Sequence, residues 1–184
     1  MEPFSVLTAR YASLPGDKVS AGDLLDPRYY TRSESYGLRK YLCLTSRMEA
    51  SSLQSGGSCS LGLMKAQGAR ILVVGKAFGV ETISPHPIWA LIDYGFQVVI
   101  GQSFDPIFED YARRNGLLCL PVKIDVLKEI KLSPAGSLMT VDLSQSRIKL
   151  PSGRKVDFVL DPFLLQSFQS GSSFFKTYAN SSLG

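Results

Sequence analysis

Three short apolar runs mark the middle of the chain, at residues 71–74, 97–100 and 117–122. Each run is rich in Val, Ile or Leu, which predicts strands that are buried on both faces of a parallel sheet. Glycine and polar residues follow each run, so a turn can begin where each strand ends.

Two stretches with helical spacing lie between these runs. In the first, Ser84 and Pro85 are typical of an N-cap and a first helical position, and Gly95 ends the stretch. In the second, Ser103 is the predicted cap and Gly116 follows the last turn. The order β-α-β-α-β predicts a parallel sheet with right-handed crossovers.

The flanks of this unit have a different pattern. Residues 49–62 are rich in Ser and Gly and predict a flexible loop, whereas residues 137–160 alternate with the period of strands and contain a Pro-Ser-Gly turn. An amphipathic segment follows at 163–178, and residues 179–184 are predicted to be a disordered tail. We expect one domain over residues 1–184.

Composition narrows the class of protein. The chain has 184 residues, is 45% hydrophobic and carries a net charge of +4 without a basic run, which argues against nucleic-acid binding. No apolar run approaches the ~20 residues that span a bilayer, and no secretory signal is recognisable. The cysteines form neither a disulfide framework nor a CxxC pair, which favours a reduced, cytoplasmic protein.

The loop after the first predicted strand is the candidate site. It lies at the carboxyl end of a parallel strand, and the N–H groups of the following helix suit a carboxylate or a phosphate. Thr82 and Ser84 offer hydroxyls, but the loop has neither dinucleotide nor Walker spacing. His86 is the only histidine, which excludes a multi-histidine metal site. Either a packing role or a chemical role is open to it.

A family resemblance rests on this loop and its surroundings. It is carried by GKAFG at 75–79, HPIWAL at 86–91, DYG at 93–95 and the continuation at 97–122. These segments resemble the swivel domain of the aconitase superfamily. In addition, DLLDPRYY at 23–30 is similar to the opening of the isopropylmalate dehydratase small subunit, and residues 140–163 resemble the terminal β-hairpin region of that subunit.

The resemblance implies an α/β fold, a swivelling β/β/α domain that closes over a separate large subunit in a heterodimer or heterotetramer. The large subunit would carry an iron–sulfur cluster, so this chain is expected to hold no cofactor and no metal. Members of the family dehydrate or rehydrate 2-hydroxy di- or tricarboxylic acids. Their swivel domain supplies a deprotonated serine and a carboxylate-binding arginine.

The centre of the loop departs from the family pattern, in which Phe-Gly is followed by x-Gly-Ser-Ser-Arg-Glu-His. A gapless alignment places Glu81 at the second glycine, Thr82 and Ile83 at the serines, Ser84 at the arginine, Pro85 at the glutamate and His86 at the histidine. A serine cannot reproduce a bidentate Arg–carboxylate contact. An altered substrate is therefore expected.

Three hypotheses follow. The chain is a hydro-lyase or isomerase small subunit, or a non-catalytic structural or regulatory partner of a large subunit, or an unrelated α/β domain that binds a small anion. Under the first, Thr82 or Ser84 is the proton-transfer hydroxyl. The predicted substrate-binding residues are Gly79, Glu81, Ile83, His86, Arg28 and Lys76.

Overall fold

The computed structural model describes residues 3–43, 68–134 and 136–171. The predicted Ser/Gly-rich loop at 49–62 and the predicted tail at 179–184 lie outside the described residues.

Seven strands and five helices are present in these ranges. The strands are β1 Val6–Ser13, β2 Ala69–Val73, β3 Val98–Gly101, β4 Leu118–Pro121, β5 Leu138–Asp142, β6 Arg147–Lys149 and β7 Lys155–Asp157. The helices are α1 Ala21–Leu24, α2 His86–Tyr94, α3 Pro106–Asn115, α4 Ile124–Leu132 and α5 Pro162–Ser170. Two short 3-10 helices, Pro27–Tyr29 and Arg39–Tyr41, follow α1.

The strands form one mixed sheet in the order β4-β3-β2-β1-β5-β6-β7. Strands β1 to β4 pair in parallel, and β5 to β7 extend the sheet in antiparallel fashion from β1. The predicted parallel unit of β2, β3 and β4 is confirmed. The sequence interpretation did not include β1, which joins the parallel and antiparallel halves.

Both faces of the parallel half are covered, as its continuous apolar strands require. In β2, Ile71 and Val73 face one apolar cluster with α4 and α5, and Leu72 faces a second cluster with α1, α2 and α3. This alternation follows from the two-residue period of a strand. The sheet therefore lies between two helical layers.

The predicted C-terminal ends of α2 and α3 agree with the structure, whereas their predicted N-cap residues do not. Gly95 and Gly116 end α2 and α3 in the left-handed conformation, with φ of 116° and 85°. At the starts, Pro85 rather than Ser84 is the N-cap residue of α2, without a side-chain cap. Asp105, not Ser103, caps α3 by accepting from the backbone N–H groups of the first turn. Both predicted caps were wrong.

The β6–β7 hairpin is tied to helix α4. Its turn is closed by the Leu150 N–H, which donates to the Arg154 carbonyl at 2.8 Å, so the predicted turn is confirmed. The Arg154 guanidinium contacts Asp125 at 2.9 Å and Glu129 at 2.8 Å. A hydrogen bond from Arg154 lowers the pKa of Asp125, and hydrogen bonds from Ser152 and Arg154 lower that of Glu129. Helix α4 was not predicted.

Two cysteines lie within the described residues. Cys119 is buried in β4, and this burial raises the pKa of its thiol because the charged thiolate would be removed from water. Cys43 is disulfide-bonded, so the expectation of fully reduced cysteines is wrong at this position. Among the described helices, none has the length and apolar character to cross a membrane.

Candidate functional site

The candidate loop runs from the end of β2 to the start of α2 and is fixed by backbone contacts. Its Ala77 N–H donates to the Ser103 hydroxyl at 2.9 Å, and its Gly79 N–H donates to the Val19 carbonyl at 2.9 Å. Ser103 therefore holds the loop instead of capping a helix. A Cβ at Gly75 would lie 2.2 Å from the Gly16 carbonyl oxygen, so only glycine fits there.

Two further loop positions have a left-handed backbone. Gly79 has a φ of 81°, and its Cα faces the Phe108 ring so closely that an added Cβ would lie 2.3 Å from it. Glu81 has a φ of 62°, a conformation that favours glycine. Glu81 thus adopts a backbone shape that favours glycine at the position where the family pattern has a glycine.

Thr82 points into the loop. Its side chain is buried, with 2% exposed, and its hydroxyl donates to the Gly79 carbonyl at 2.6 Å. Because a carbonyl oxygen only accepts, the Thr82 proton is committed to the loop backbone. This contact stabilises the turn. The catalytic role predicted for Thr82 stays a prediction.

Ser84 and His86 are brought into direct contact. The Ser84 hydroxyl lies 2.5 Å from Nδ1 of His86, and Nε2 of the same ring lies 2.7 Å from the Arg32 carbonyl oxygen. Since a carbonyl cannot donate, Nε2 carries the proton in this contact. In the neutral ring Nδ1 is then an acceptor, and the Ser84 hydroxyl donates to it.

The His86 ring is held between aromatic groups. It is 7% exposed, stacks on Tyr30 with 5.4 Å between centroids and contacts Trp89 at 4.6 Å. The Trp89 indole N–H donates to Asn115 at 2.8 Å, which fixes the indole in turn. Burial raises the pKa of the Tyr30 hydroxyl. His86 thus has the packing role that the sequence left open to it, together with two hydrogen bonds.

The segment from Asp26 to Arg32 packs against this ring through Tyr30 and the Arg32 carbonyl, and it carries two cations. Arg28, a predicted substrate contact, is largely exposed and pairs with Asp26 at 2.7 Å. This contact lowers the pKa of the Asp26 carboxyl. Arg32 holds His86 through its backbone carbonyl, and its guanidinium lies over the Tyr41 ring at 5.1 Å.

Sequence reasoning missed Arg32. Its only signal in the sequence is its position two residues after the DPRYY segment that resembles the family. The contact to His86 spans 54 residues of chain, and periodicity carries no information about such a contact.

The start of α2 offers fewer free donors than the sequence predicted. An anion at a helix N-terminus is bound by backbone N–H groups of the first turn. Pro85 and Pro87 lack that group, so His86 and Ile88 are the N–H donors among residues 85–88. The backbone at the start of α2 therefore offers few N–H donors to an anion.

The remaining predicted residues lie on the outer side of the loop. Ile83 is 77% exposed, which is unusual for a large apolar side chain. Glu81 and Lys76 are exposed as well, and the Lys76 N–H donates to the Asp17 carboxylate at 2.8 Å. The loop thus presents an apolar residue and two opposite charges to its surroundings.

Comparisons with known proteins agree on a family. Residues 37–125 match the aconitase C-terminal domain. The 3-isopropylmalate dehydratase small subunit of a Roseiflexus species is 33% identical over 166 residues, covering 89% of this chain and 81% of the relative. That of Chloroflexus aggregans is 34% identical over 170 residues, with 89% and 81% covered.

A solved structure agrees in fold. The 3-isopropylmalate dehydratase structure from Methanocaldococcus jannaschii superimposes with a TM-score of 0.68 at 17% identity, covering 97% of this chain and 96% of that one. The likeness confirms the predicted α/β swivel-type fold. From the relatives above, the chain belongs to the family of 3-isopropylmalate dehydratase small subunits, within the aconitase superfamily.

Proposed function

We propose that this chain is the small subunit of an aconitase-family hydro-lyase, which acts with a separate large subunit on a 2-hydroxy di- or tricarboxylic acid related to 3-isopropylmalate. The observation that carries the proposal is the half-buried Ser84 hydroxyl, which is hydrogen-bonded to His86 in a loop at the carboxyl end of β2. Ligands of open α/β sheets bind at such edges.

The proton-transfer group in this proposal is Ser84. Both loop hydroxyls were candidates, but the Thr82 proton is donated to a carbonyl within the loop. The Ser84 hydroxyl contacts a ring nitrogen that can accept its proton. This difference favours Ser84 over Thr82.

We assign the substrate carboxylates to side-chain cations. Lys76 is exposed on the loop, and Arg32 is joined to the site through His86. Arg28 is the third candidate, but its guanidinium already contacts Asp26. A guanidinium binds a carboxylate through two parallel hydrogen bonds, and the Arg32 guanidinium, which lies over the Tyr41 ring, is our candidate for that contact.

We assign the iron–sulfur cluster of this enzyme class to the large subunit, where it would polarise the departing hydroxyl. The assignment is supported by the family relationship. Within residues 3–43, 68–134 and 136–171, no group of three His, Cys, Asp or Glu side chains is arranged to hold a metal. Whether the assembly is a heterodimer or a heterotetramer, and its cytoplasmic location, stay predictions.

A second candidate is a catalytically degenerate partner that keeps the fold and the docking surface. It is favoured by the serine at the position of the family's arginine and by the buried, internally bonded Thr82. The third hypothesis, an unrelated anion-binding domain, is wrong because the relatives show the family.

Reconstitution separates the two candidates. The chain is purified anaerobically with the large subunit from the same source, and 3-isopropylmalate and other 2-hydroxy di- and tricarboxylic acids are assayed for formation of the C=C bond. Turnover that requires this chain and is lost in Ser84→Ala supports the enzyme. A complex that forms but turns over none of the acids favours the degenerate partner.

A further inference from the structure

We propose that His86 acts through Ser84 as the proton acceptor that makes the Ser84 hydroxyl a base. The inference rests on the proposed function and adds a chemical role for His86. The resemblance to the family gave His86 only as a residue of the loop. The Ser84 oxygen would meet the substrate, and His86 would position and deprotonate it.

The geometry has the three parts of an activated hydroxyl. A hydroxyl lies within hydrogen-bond reach of a base, and a third group orients the base. Here the hydroxyl oxygen and Nδ1 are 2.5 Å apart, and the Arg32 carbonyl lies 2.7 Å from Nε2. The carbonyl selects the tautomer in which Nδ1 is free to accept, as an orienting group does in such arrangements.

The ring can hold this orientation without help from the substrate. Tyr30 stacks on it at an interplanar angle of 19°, and Trp89 contacts it at 54°. The ring is 7% exposed, so a rotation that exchanged the two nitrogens would break both hydrogen bonds inside a packed site. Preorganised geometry of this kind is what a proton transfer requires.

A purely structural role for Ser84 accounts for less. A serine before a helix ordinarily caps it by accepting from a backbone N–H group, but α2 has no side-chain cap. The Ser84 hydroxyl is used toward the imidazole instead. Thr82 provides the comparison, because its hydroxyl bonds a carbonyl, which cannot take up a proton.

The proton transfer can be written for the dehydration direction. The Ser84 oxygen accepts the proton from the substrate carbon that carries no hydroxyl, while the Ser84 proton passes to Nδ1 of His86. The electron pair of the broken C–H bond forms the C=C bond, and hydroxide leaves from the neighbouring carbon with the electrons of its C–O bond. Hydration is the reverse, in which His86 returns the proton to Ser84.

The arrangement can be tested spectroscopically in the full chain. Because His86 is the only histidine, nitrogen-15 labelling of histidine gives one imidazole in the NMR spectrum. We expect a protonated Nε2 and an unprotonated Nδ1, and a shift of the Nδ1 signal in Ser84→Ala. A protonated Nδ1 with a bare Nε2, or an Nδ1 signal that Ser84→Ala leaves unchanged, would overturn the inference.

The functional part is tested in the reconstituted complex by a double-mutant cycle. Ser84→Ala and His86→Gln should each lower kcat by about 100-fold, within the range for a lost general base, with KM changed little. The double variant should fall no further, because the two residues act as one unit. Ser144→Ala, in an exposed turn between β5 and β6, is the matched serine control and should keep full turnover.

The experiments separate failure of the proposed function from failure of the proton transfer between Ser84 and His86. A wild-type complex without turnover on any acid overturns both. An active complex in which His86→Gln keeps its kcat, or in which the kcat losses of the two single variants multiply in the double variant, overturns only the proton transfer. Co-purification of each variant with the large subunit checks folding, and the NMR test does not require the His86 substitution.

Discussion

At the scale of single residues, Gly79 carries two separate constraints. Its φ of 81° costs a side chain about 1–2 kcal/mol, and an added Cβ would also lie 2.3 Å from the Phe108 ring. We expect Gly79→Ala to lower the free energy of unfolding by about 2–4 kcal/mol, measured by urea denaturation.

The matched control for Gly79 is Gly153. It has a φ of 92°, but no atom lies within 4 Å of an added Cβ. Gly153→Ala therefore carries the backbone strain without the clash. If the two variants lose the same stability, the contact with Phe108 does not restrict position 79.

At position 81, glycine should give a more stable protein than alanine. The Glu81 φ of 62° is in the left-handed region, where glycine is more favourable than other residues by about 1 kcal/mol. We expect Glu81→Gly to unfold at a higher urea concentration than Glu81→Ala. At ordinary positions alanine is the more stabilising of the two, so the reversed order is specific to this backbone. An alanine variant of equal or greater stability would contradict it.

At the scale of elements, the sequence predicted the β2-α2-β3-α3-β4 unit because apolar period and helix ends are local properties. The caps were misassigned since a side chain's partner is set by packing: Ser103 bonds the distant Ala77 N–H, and Ser84 bonds His86. Strand β1 was missed although its exposed and buried positions alternate. The loop hydroxyls could be named from sequence, whereas the Arg32–His86 contact could not.

The hairpin and α4 provide the element-scale prediction. A hydrogen bond from Arg154 holds the pKa of Asp125 below its ordinary value of 3.8, and hydrogen bonds from Ser152 and Arg154 hold that of Glu129 below 4.5. Carboxylates with lowered pKa stabilise the fold above those values, and the contribution is lost as the pH falls below them. We expect Arg154→Gln to unfold at lower urea than wild type at pH 7, and the difference to shrink as the pH approaches 3.

Arg154 and Asp125 are exposed and Glu129 is half-buried, so the effect of Arg154→Gln on stability at pH 7 should be small and should decrease in high salt. Lys149→Gln, which removes an exposed cation from β6, is the matched control for net charge. An equal loss in both variants would mean that net charge, and not the hairpin–helix contact, sets the pH dependence.

At the scale of the whole molecule, the packed and the exposed parts of the loop have different tasks. Gly79, Thr82 and His86 are buried in the fold, so they shape the site from within. Ile83 projects outward from the same loop. A large subunit that closes over the site would cover it, and burying such a side chain is worth about 1.5–3 kcal/mol.

We therefore expect Ile83→Asp to weaken association with the large subunit by at least about 10-fold, because it places a charge in the covered interface. Leu132→Asp is the matched control, since Leu132 is 87% exposed at the end of α4 on the other face of the sheet. The dissociation constants of both variants and wild type are measured by calorimetry with the purified large subunit. If Ile83→Asp binds as wild type does while Leu132→Asp binds weakly, the large subunit docks on the α4 face, and the Ser84–His86 loop does not complete the active site.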